Sequence, residues 1–171
     1  MASENPASLD EAVKAALSAE QLPGKRVLDF GCGDGETGIW MAIEGAEVYL
    51  LDFRHAVVGA ALERAREAGV ARRVRGIVAE GDRLDMFADS GFDLAFLRTM
   101  PSRPMLAEIA RALKPGARLV LAASRPAVPE ELSPWFGAVR ILWPPRTGWL
   151  SRLTKLNKKP GGAVITARRA G

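Results

Sequence analysis

The sequence predicts an α/β domain on a doubly wound, mostly parallel sheet with helices on both faces. Three observations predict it. From residue 25 onward, strand-like and helix-like segments alternate with short connections. A glycine-rich bend, G-C-G-D-G at 31–35, follows the first apolar strand directly. Acidic residues then close the next two strands, Asp52 at the end of the second and Asp82 just past the third. In such sheets ligands bind beyond the carboxyl ends of the strands, where the bend and both acids fall.

Each element has a local reason. Residues 8–20, S-L-D-E-A-V-K-A-A-L-S-A-E, carry apolar side chains at 9, 12, 13, 16 and 17. That is helical spacing, with Ser8 as N-cap and Glu11 as its capping-box partner, and Pro23-Gly24 ends the segment. Lys25–Phe30 is a strand running into the glycines, and Glu36–Ile43 a short helix closed by Gly45. Glu47–Leu51 is the second strand, and Ala56–Ala68 a helix ended by Gly69. Val74–Ala79 and Phe92–Leu97 are the third and fourth strands. Met105–Leu113 is a helix that K-P-G at 114–116 stops, and Leu119–Ala123 is the fifth strand. Beyond residue 125 the pattern predicts a short helix at Ser133–Phe136, a strand at Ala138–Trp143 and a last strand at Gly162–Arg168.

Composition sets the outer bounds. A chain of 171 residues, 48% apolar and 26% charged, suits one globular domain with a real core. A single cysteine, Cys32, forbids an internal disulfide and points to a reducing compartment. One cysteine excludes cysteine-rich zinc sites, and one histidine leaves little for any other metal cluster, so no metal is expected. The N-terminus carries early acid and no apolar h-region, and no run approaches a membrane span, so a cytoplasmic protein without a membrane partner is expected. Net charge is +4, unevenly spread: residues 98–171 hold 14 Lys and Arg against 3 Asp and Glu, whereas residues 1–97 are acidic on balance. A basic half of this kind is a solvated face or a surface for an anionic partner such as RNA. The run from Trp143 to Pro160 interleaves tryptophans with arginines and lysines, which suits stacking on a single strand or packing on the sheet.

The glycines decide between ligands. Bare backbone after a strand lets a ligand approach closely, and the helix that follows offers unpaired N–H groups. A dinucleotide fingerprint needs a third glycine at the sixth position, but from Gly31 that position is Glu36. A P-loop needs Gly-Lys-Ser or Gly-Lys-Thr, which is absent. Asp29, two residues before the bend, favours a ligand carrying positive charge.

V-L-D-F-G-C-G-D-G resembles motif I of the Rossmann-like, class I S-adenosylmethionine-dependent methyltransferases: an acid, a spacer, then G-x-G-x-G. The resemblance continues in Asp52, 21 residues after Gly31, in A-E-G-D-R, in F-D-L-A-F-L-R-T-M-P after strand four, and in E-I-A-R-A-L-K-P-G-A-R-L-V-L, which is similar to the ubiquinone-biosynthesis-type branch. It spans residues 24–124 and implies a seven-stranded sheet whose last strand is antiparallel. One domain over 1–171 follows, with an N-terminal helix (1–22), a cofactor-binding core (23–125) and C-terminal strands with the basic segment (126–171).

The family roles map residue by residue. Gly31, Cys32, Gly33 and Gly35 would pack against methionine and ribose, and Asp29 would orient the methionine ammonium. Asp52 would accept from both ribose hydroxyls, since a carboxylate has two oxygens to offer. Phe53 would lie on adenine, Asp82 would accept from its 6-amino group, and the Arg83 backbone N–H would serve a ring nitrogen. Leu97 and Arg98 would line the methyl-transfer end.

The resemblance implies S-adenosyl-L-methionine as cofactor and in-line methyl transfer. No general base emerges: His55 is the only histidine and belongs to the ribose side. The stretch L-R-T-M-P has neither the histidine frequent in this branch nor an N-P-P-Y tetrad for amino methylation. A small-molecule acceptor is the first expectation. An RNA or ribosomal acceptor, or a module that binds the cofactor without turnover, are the alternatives. The oligomeric state is open, a dimer included.

Overall fold

The computed structural model describes residues 9–79, 83–123, 132–133, 135–143 and 163–171. Its elements are α1 (Leu9–Ser18), β1 (Arg26–Phe30), α2 (Glu36–Ile43), β2 (Glu47–Asp52), α3 (His55–Glu67), β3 (Val74–Val78), β4 (Phe92–Leu97), α4 (Arg103–Ala112), β5 (Leu113–Ala123), β6 (Phe136–Trp143) and β7 (Ala163–Arg169). The seven strands form one sheet in the order β3-β2-β1-β4-β5-β7-β6. β1 to β5 run parallel, and β7 is antiparallel to both β5 and β6. The expected seven-stranded, doubly wound sheet is therefore present. The order reverses direction at β1, so the bend after β1 sits at the switch point.

The central strands are apolar on both sides because helices cover both. Val27, Val48, Leu50, Leu94 and Phe96 point to the face carrying α1, α2 and α3. Leu28, Leu51, Ala95 and Leu97 point to the α4 face. Such strands read as near-continuous apolar runs, as V-L-D-F and F-D-L-A-F-L do. The one charged residue on the inner stretch of β1 is Asp29, only 2% exposed.

α4 begins two residues earlier than the sequence suggests. The Ser102 hydroxyl accepts from the Met105 N–H at 3.2 Å, and Pro104 fills the first turn, where its missing N–H costs nothing. Its inner face buries Met105, Leu106, Ile109 and Ala110.

Two expectations are corrected. K-P-G is not a free turn between helix and strand: α4 stops at Ala112, Leu113 is already extended, and K-P-G forms the irregular opening of β5. The pairing shows why. Phe92 pairs with Leu113 but Leu94 pairs with Arg118, so extra residues bulge outward, with Gly116 at φ +75° taking the left-handed backbone. Buried Leu113 and the Lys114–Asp93 ion pair at 2.6 Å hold that opening down. The short helix expected at Ser133–Phe136 is not seen among the described residues of that span: Leu132 is helical, but Ser133 and Trp135 lie in turns. The Trp135 N–H closes a turn on the Leu132 carbonyl at 3.2 Å, and Phe136 already opens β6, two residues ahead of the expected start. Pro134 disfavours helical backbone at Ser133, which explains the difference. The proposed N-cap Ser8 lies outside the described residues.

Candidate functional site

The bend is tied down at its start. The Gly31 and Cys32 N–H groups both donate to the Leu51 carbonyl, at 2.7 and 3.0 Å. This pulls the turn onto the tip of β2 and so onto Asp52. Gly31 (φ +70°) and Gly33 (φ +54°) both take left-handed backbone, and a Cβ at either would meet nothing within 4 Å. Their open sides form a cradle that side chains do not fill.

Two carboxylates flank the cradle in different electrostatic states. Asp29 stands on β1 two residues before Gly31, buried under α2, and its Oδ2, which a Cβ on Gly38 would meet at 2.7 Å, has no hydrogen-bond partner among the described residues. Burial pushes the Asp29 carboxyl up to about 7, against the opposing effects of the Arg98 charge and the Gly38 N–H. A cation brought beside this carboxyl would offset the cost of its burial and favour its ionised form. Asp52 lies at the tip of β2, 3% exposed. Burial alone would raise its carboxyl, but hydrogen bonds from Arg54 and Gly33 outweigh burial and hold it below the usual range. Oδ2 accepts from the Gly33 N–H at 3.3 Å, and Oδ1 accepts from the Arg54 N–H and Nε at 3.0 and 3.1 Å.

The remaining candidates fall into place unevenly. Phe53 follows Asp52 and is 69% exposed, so it is not core, and the Arg54 guanidinium lies over its ring, 5.2 Å from the centroid. Cys32 is buried, its thiol pushed up to about 12 by burial and by the Asp29 and Asp52 charges, which makes it an inert wall residue. Gly35 caps α2 with left-handed backbone at φ +78°. Arg98 reaches across the mouth, donating to Asp10 Oδ1 of α1 at 3.0 Å and to Thr37 Oγ1 of α2 at 2.8 Å. The Leu97 side chain is fully buried in the α4-side core, so only its backbone reaches the strand end. Asp82 lies outside the described residues. Arg83 is exposed and pairs with Asp85 at 2.5 Å. The loop it opens is anchored by Arg111 of α4, which donates to the Leu84 and Phe87 carbonyls at 2.8 and 2.9 Å. His55 begins α3, which Asp52 does not cap.

Four residues that matter here escape a reading of motifs: Asp10, Thr37, Gly38 and Arg54. Gly38 is the clearest. A Cβ there would lie 2.2 Å from Leu50 Cδ2 and 2.7 Å from Asp29 Oδ2, so α2 packs on β2 through bare backbone. The signal in the sequence is a glycine three residues into a predicted helix, where local propensity opposes it.

A family model described as a methyltransferase domain matches residues 27–116. The chain is 35% identical over 132 residues to a ribosomal protein L11 methyltransferase of Wolinella succinogenes, covering 74% of this chain and 45% of that protein. It is 37% identical over 108 residues to a 2-phytyl-1,4-naphtoquinone methyltransferase of Synechococcus elongatus, covering 58% and 46%. The chain thus spans less than half the length of these curated relatives. Among solved structures, an S-adenosylmethionine dependent methyltransferase from Mesorhizobium loti superposes with a TM-score of 0.68 at 21% identity, covering 95% of this chain and 100% of that one. That likeness concerns the fold.

Proposed function

We propose that this chain, which belongs to the methyltransferase-domain family, binds S-adenosyl-L-methionine and directs methyl transfer to a small-molecule acceptor. The observation that carries the reading is the buried Asp29 oxygen without a hydrogen-bond partner among the described residues, on the strand that runs directly into the open glycine bend. It calls for a cation, and an adenosyl amino acid brings an ammonium to that depth.

The chain's own groups divide the work. Asp29 takes the ammonium, and Gly31, Cys32, Gly33 and Gly35 pass along methionine and ribose with no Cβ in the way at Gly31 and Gly33. Asp52 takes the two ribose hydroxyls after yielding the oxygens now held by the Arg54 side chain. Phe53 offers its exposed ring to adenine. Asp82 and Arg83 serve the base edge, and the Leu97 backbone with Arg98 borders the acceptor side. When bound, the cofactor supplies an already activated methyl group on a sulfonium. What the chain must add is alignment, worth up to about 7–11 kcal/mol in well-oriented systems. That division needs no general base, and no residue is assigned as one.

One domain over 1–171 and a reducing, cytoplasmic setting complete the proposal, the latter resting on the single buried thiol. Among the described residues no helix is long and apolar enough to cross a membrane. The small-molecule acceptor draws support from the quinone-modifying relative. The second reading, an RNA or ribosomal acceptor, draws on the basic half of the chain and the ribosomal-protein-modifying relative. The basic, tryptophan-containing run behind it lies almost wholly outside the described residues.

Calorimetry with S-adenosylhomocysteine tests the cofactor, and no heat at millimolar ligand would end the reading. Transfer from methyl-labelled cofactor then separates the acceptor classes. Label appearing only with RNA or ribosomal fractions selects the second reading, and no label with any acceptor leaves a binding module.

A further inference from the structure

Arg98 is the first residue after β4, and it joins two elements across the mouth of the cradle. Its Nη1 donates to Asp10 Oδ1 at 3.0 Å and its Nη2 to Thr37 Oγ1 at 2.8 Å. The two partners are unlike. Thr37 is buried in the first turn of α2 and is fixed there. Asp10 stands in the first turn of α1 with its side chain 68% exposed, and Arg98 itself is 42% exposed. The Arg98–Asp10 contact is therefore weak, of the sort that solvent and salt largely cancel.

The Arg98 charge also acts on the buried Asp29, whose Oδ2 has no hydrogen-bond partner among the described residues. The site thus presents a carboxylate on its floor and a guanidinium on its rim. An α-amino acid carries the complementary pair, an ammonium and a carboxylate on one carbon. The rim guanidinium, however, already holds a carboxylate, and that carboxylate belongs to α1.

We infer that Arg98 reads the carboxylate of the ligand's amino-acid end, and that Asp10 is a built-in competitor for the same guanidinium, so that binding releases the first turn of α1. The inference rests on the function proposed above and adds to it a specificity-determining residue and a ligand-sensing element. Arg98 keeps its Thr37 bond in both states, since Nη2 is spoken for by a buried hydroxyl and only Nη1 changes partner. The guanidinium geometry allows this, because its N–H groups project in a fixed fork. The helix stays docked through Ala12, Val13, Ala16 and Leu17, all buried, so release is confined to the turn that carries Asp10.

The test uses two nucleosides that differ at the amino-acid end. S-adenosylhomocysteine has it, and 5′-methylthioadenosine lacks it. On the full chain, calorimetry is expected to show Arg98→Gln binding S-adenosylhomocysteine about tenfold more weakly while 5′-methylthioadenosine changes by less than about twofold. Arg98→Lys is expected to recover part of the loss. Asp10→Asn is expected to tighten S-adenosylhomocysteine by about two- to threefold, with no effect on 5′-methylthioadenosine. Hydrogen exchange at the Val13 and Lys14 amides, which close the first turn of α1, should rise on adding S-adenosylhomocysteine and stay level with 5′-methylthioadenosine. If Arg98→Gln weakens both nucleosides alike, or neither, the residue is structural and the inference is overturned while the cofactor reading stands. If added ligand protects the first turn of α1, the competition is overturned. If the parent chain binds neither nucleoside, both readings fall together.

Discussion

Two glycines inside helices should respond to alanine in opposite directions, and the structure fixes the sign of each. Gly38 lies in α2 and Gly59 in α3. Neither takes left-handed backbone, so helix propensity alone favours alanine at both by about 1 kcal/mol. At Gly59 a Cβ meets nothing within 4 Å, so propensity is the whole effect. Gly59→Ala should gain about 0.5–1 kcal/mol, which is roughly 1–4 °C in melting temperature for a chain of this size. At Gly38 the new Cβ would sit 2.2 Å from Leu50 Cδ2, 2.7 Å from Asp29 Oδ2 and 3.3 Å from Val48 Cγ1. Leu50 and Val48 are fully buried in β2, so α2 must lift from the sheet. Overpacking of this kind costs about 1–3 kcal/mol or more and outweighs the propensity gain. Gly38→Ala should therefore melt lower by several degrees, and by displacing Asp29 it should also weaken S-adenosylhomocysteine. Differential scanning calorimetry on the parent and both variants checks this. A Gly38→Ala protein melting at or above the parent, or a Gly59→Ala protein melting below it, would refute the packing argument.

Asp29→Asn should stabilise the ligand-free chain at pH 8. The folded carboxyl is raised from 3.8 to about 7, so the fold binds more protons than the unfolded chain between those values. Asp29's contribution is then largest below pH 4 and is lost as pH rises through 7. The deficit at pH 8 is on the order of 4 kcal/mol, so the variant should melt higher there and show a flatter pH–stability profile between 4 and 7. An unchanged profile would place the charge in solvent. Arg54→Ala should tighten S-adenosylhomocysteine by about two- to fivefold, because an exposed guanidinium no longer competes with ribose for Asp52. Weaker binding in a calorimetric titration would give Arg54 a direct role instead. Asp52→Ala should cost about 100-fold in the same titration, since both ribose hydroxyls lose their acceptor; a loss under tenfold would move the ribose elsewhere.

The sheet was legible because a parallel sheet writes itself plainly. V-L-D-F, V-Y-L-L and F-D-L-A-F-L are apolar on both faces, and short helical stretches separate them. Asp52 was legible for the same reason: an acid at the end of such a run has to sit at a strand tip. The start of β5 was not legible, because Pro115 and Gly116 carry turn chemistry locally while the pairing of Lys114 with Asp93, 21 residues away, and the burial of Leu113 decide the outcome. The rim of the site was hidden in the same sense. Asp10 and Arg98 are 88 residues apart in sequence, and no local pattern announces that α1 and the tip of β4 share a hydrogen bond. Arg54 belongs to no motif, and its hold on Asp52 depends on the backbone turning back at the end of β2.

The cradle also bears on what cannot bind. A glycine bend before a helix is the usual seat of a diphosphate, and here that seat is lined with carboxylates. Two unit charges 4 Å apart interact by about 4 kcal/mol at an effective dielectric constant near 20. The Gly33 N–H, which would greet a phosphate oxygen, is instead donated to Asp52 at 3.3 Å. A diphosphate would have to break that bond and face both Asp52 and Asp29, whereas a ligand with an ammonium and two hydroxyls leaves it intact and gains from both acids. On the function proposed above, sign and hydrogen-bond direction favour the same ligand, through Asp29, Asp52 and the bare backbone between them.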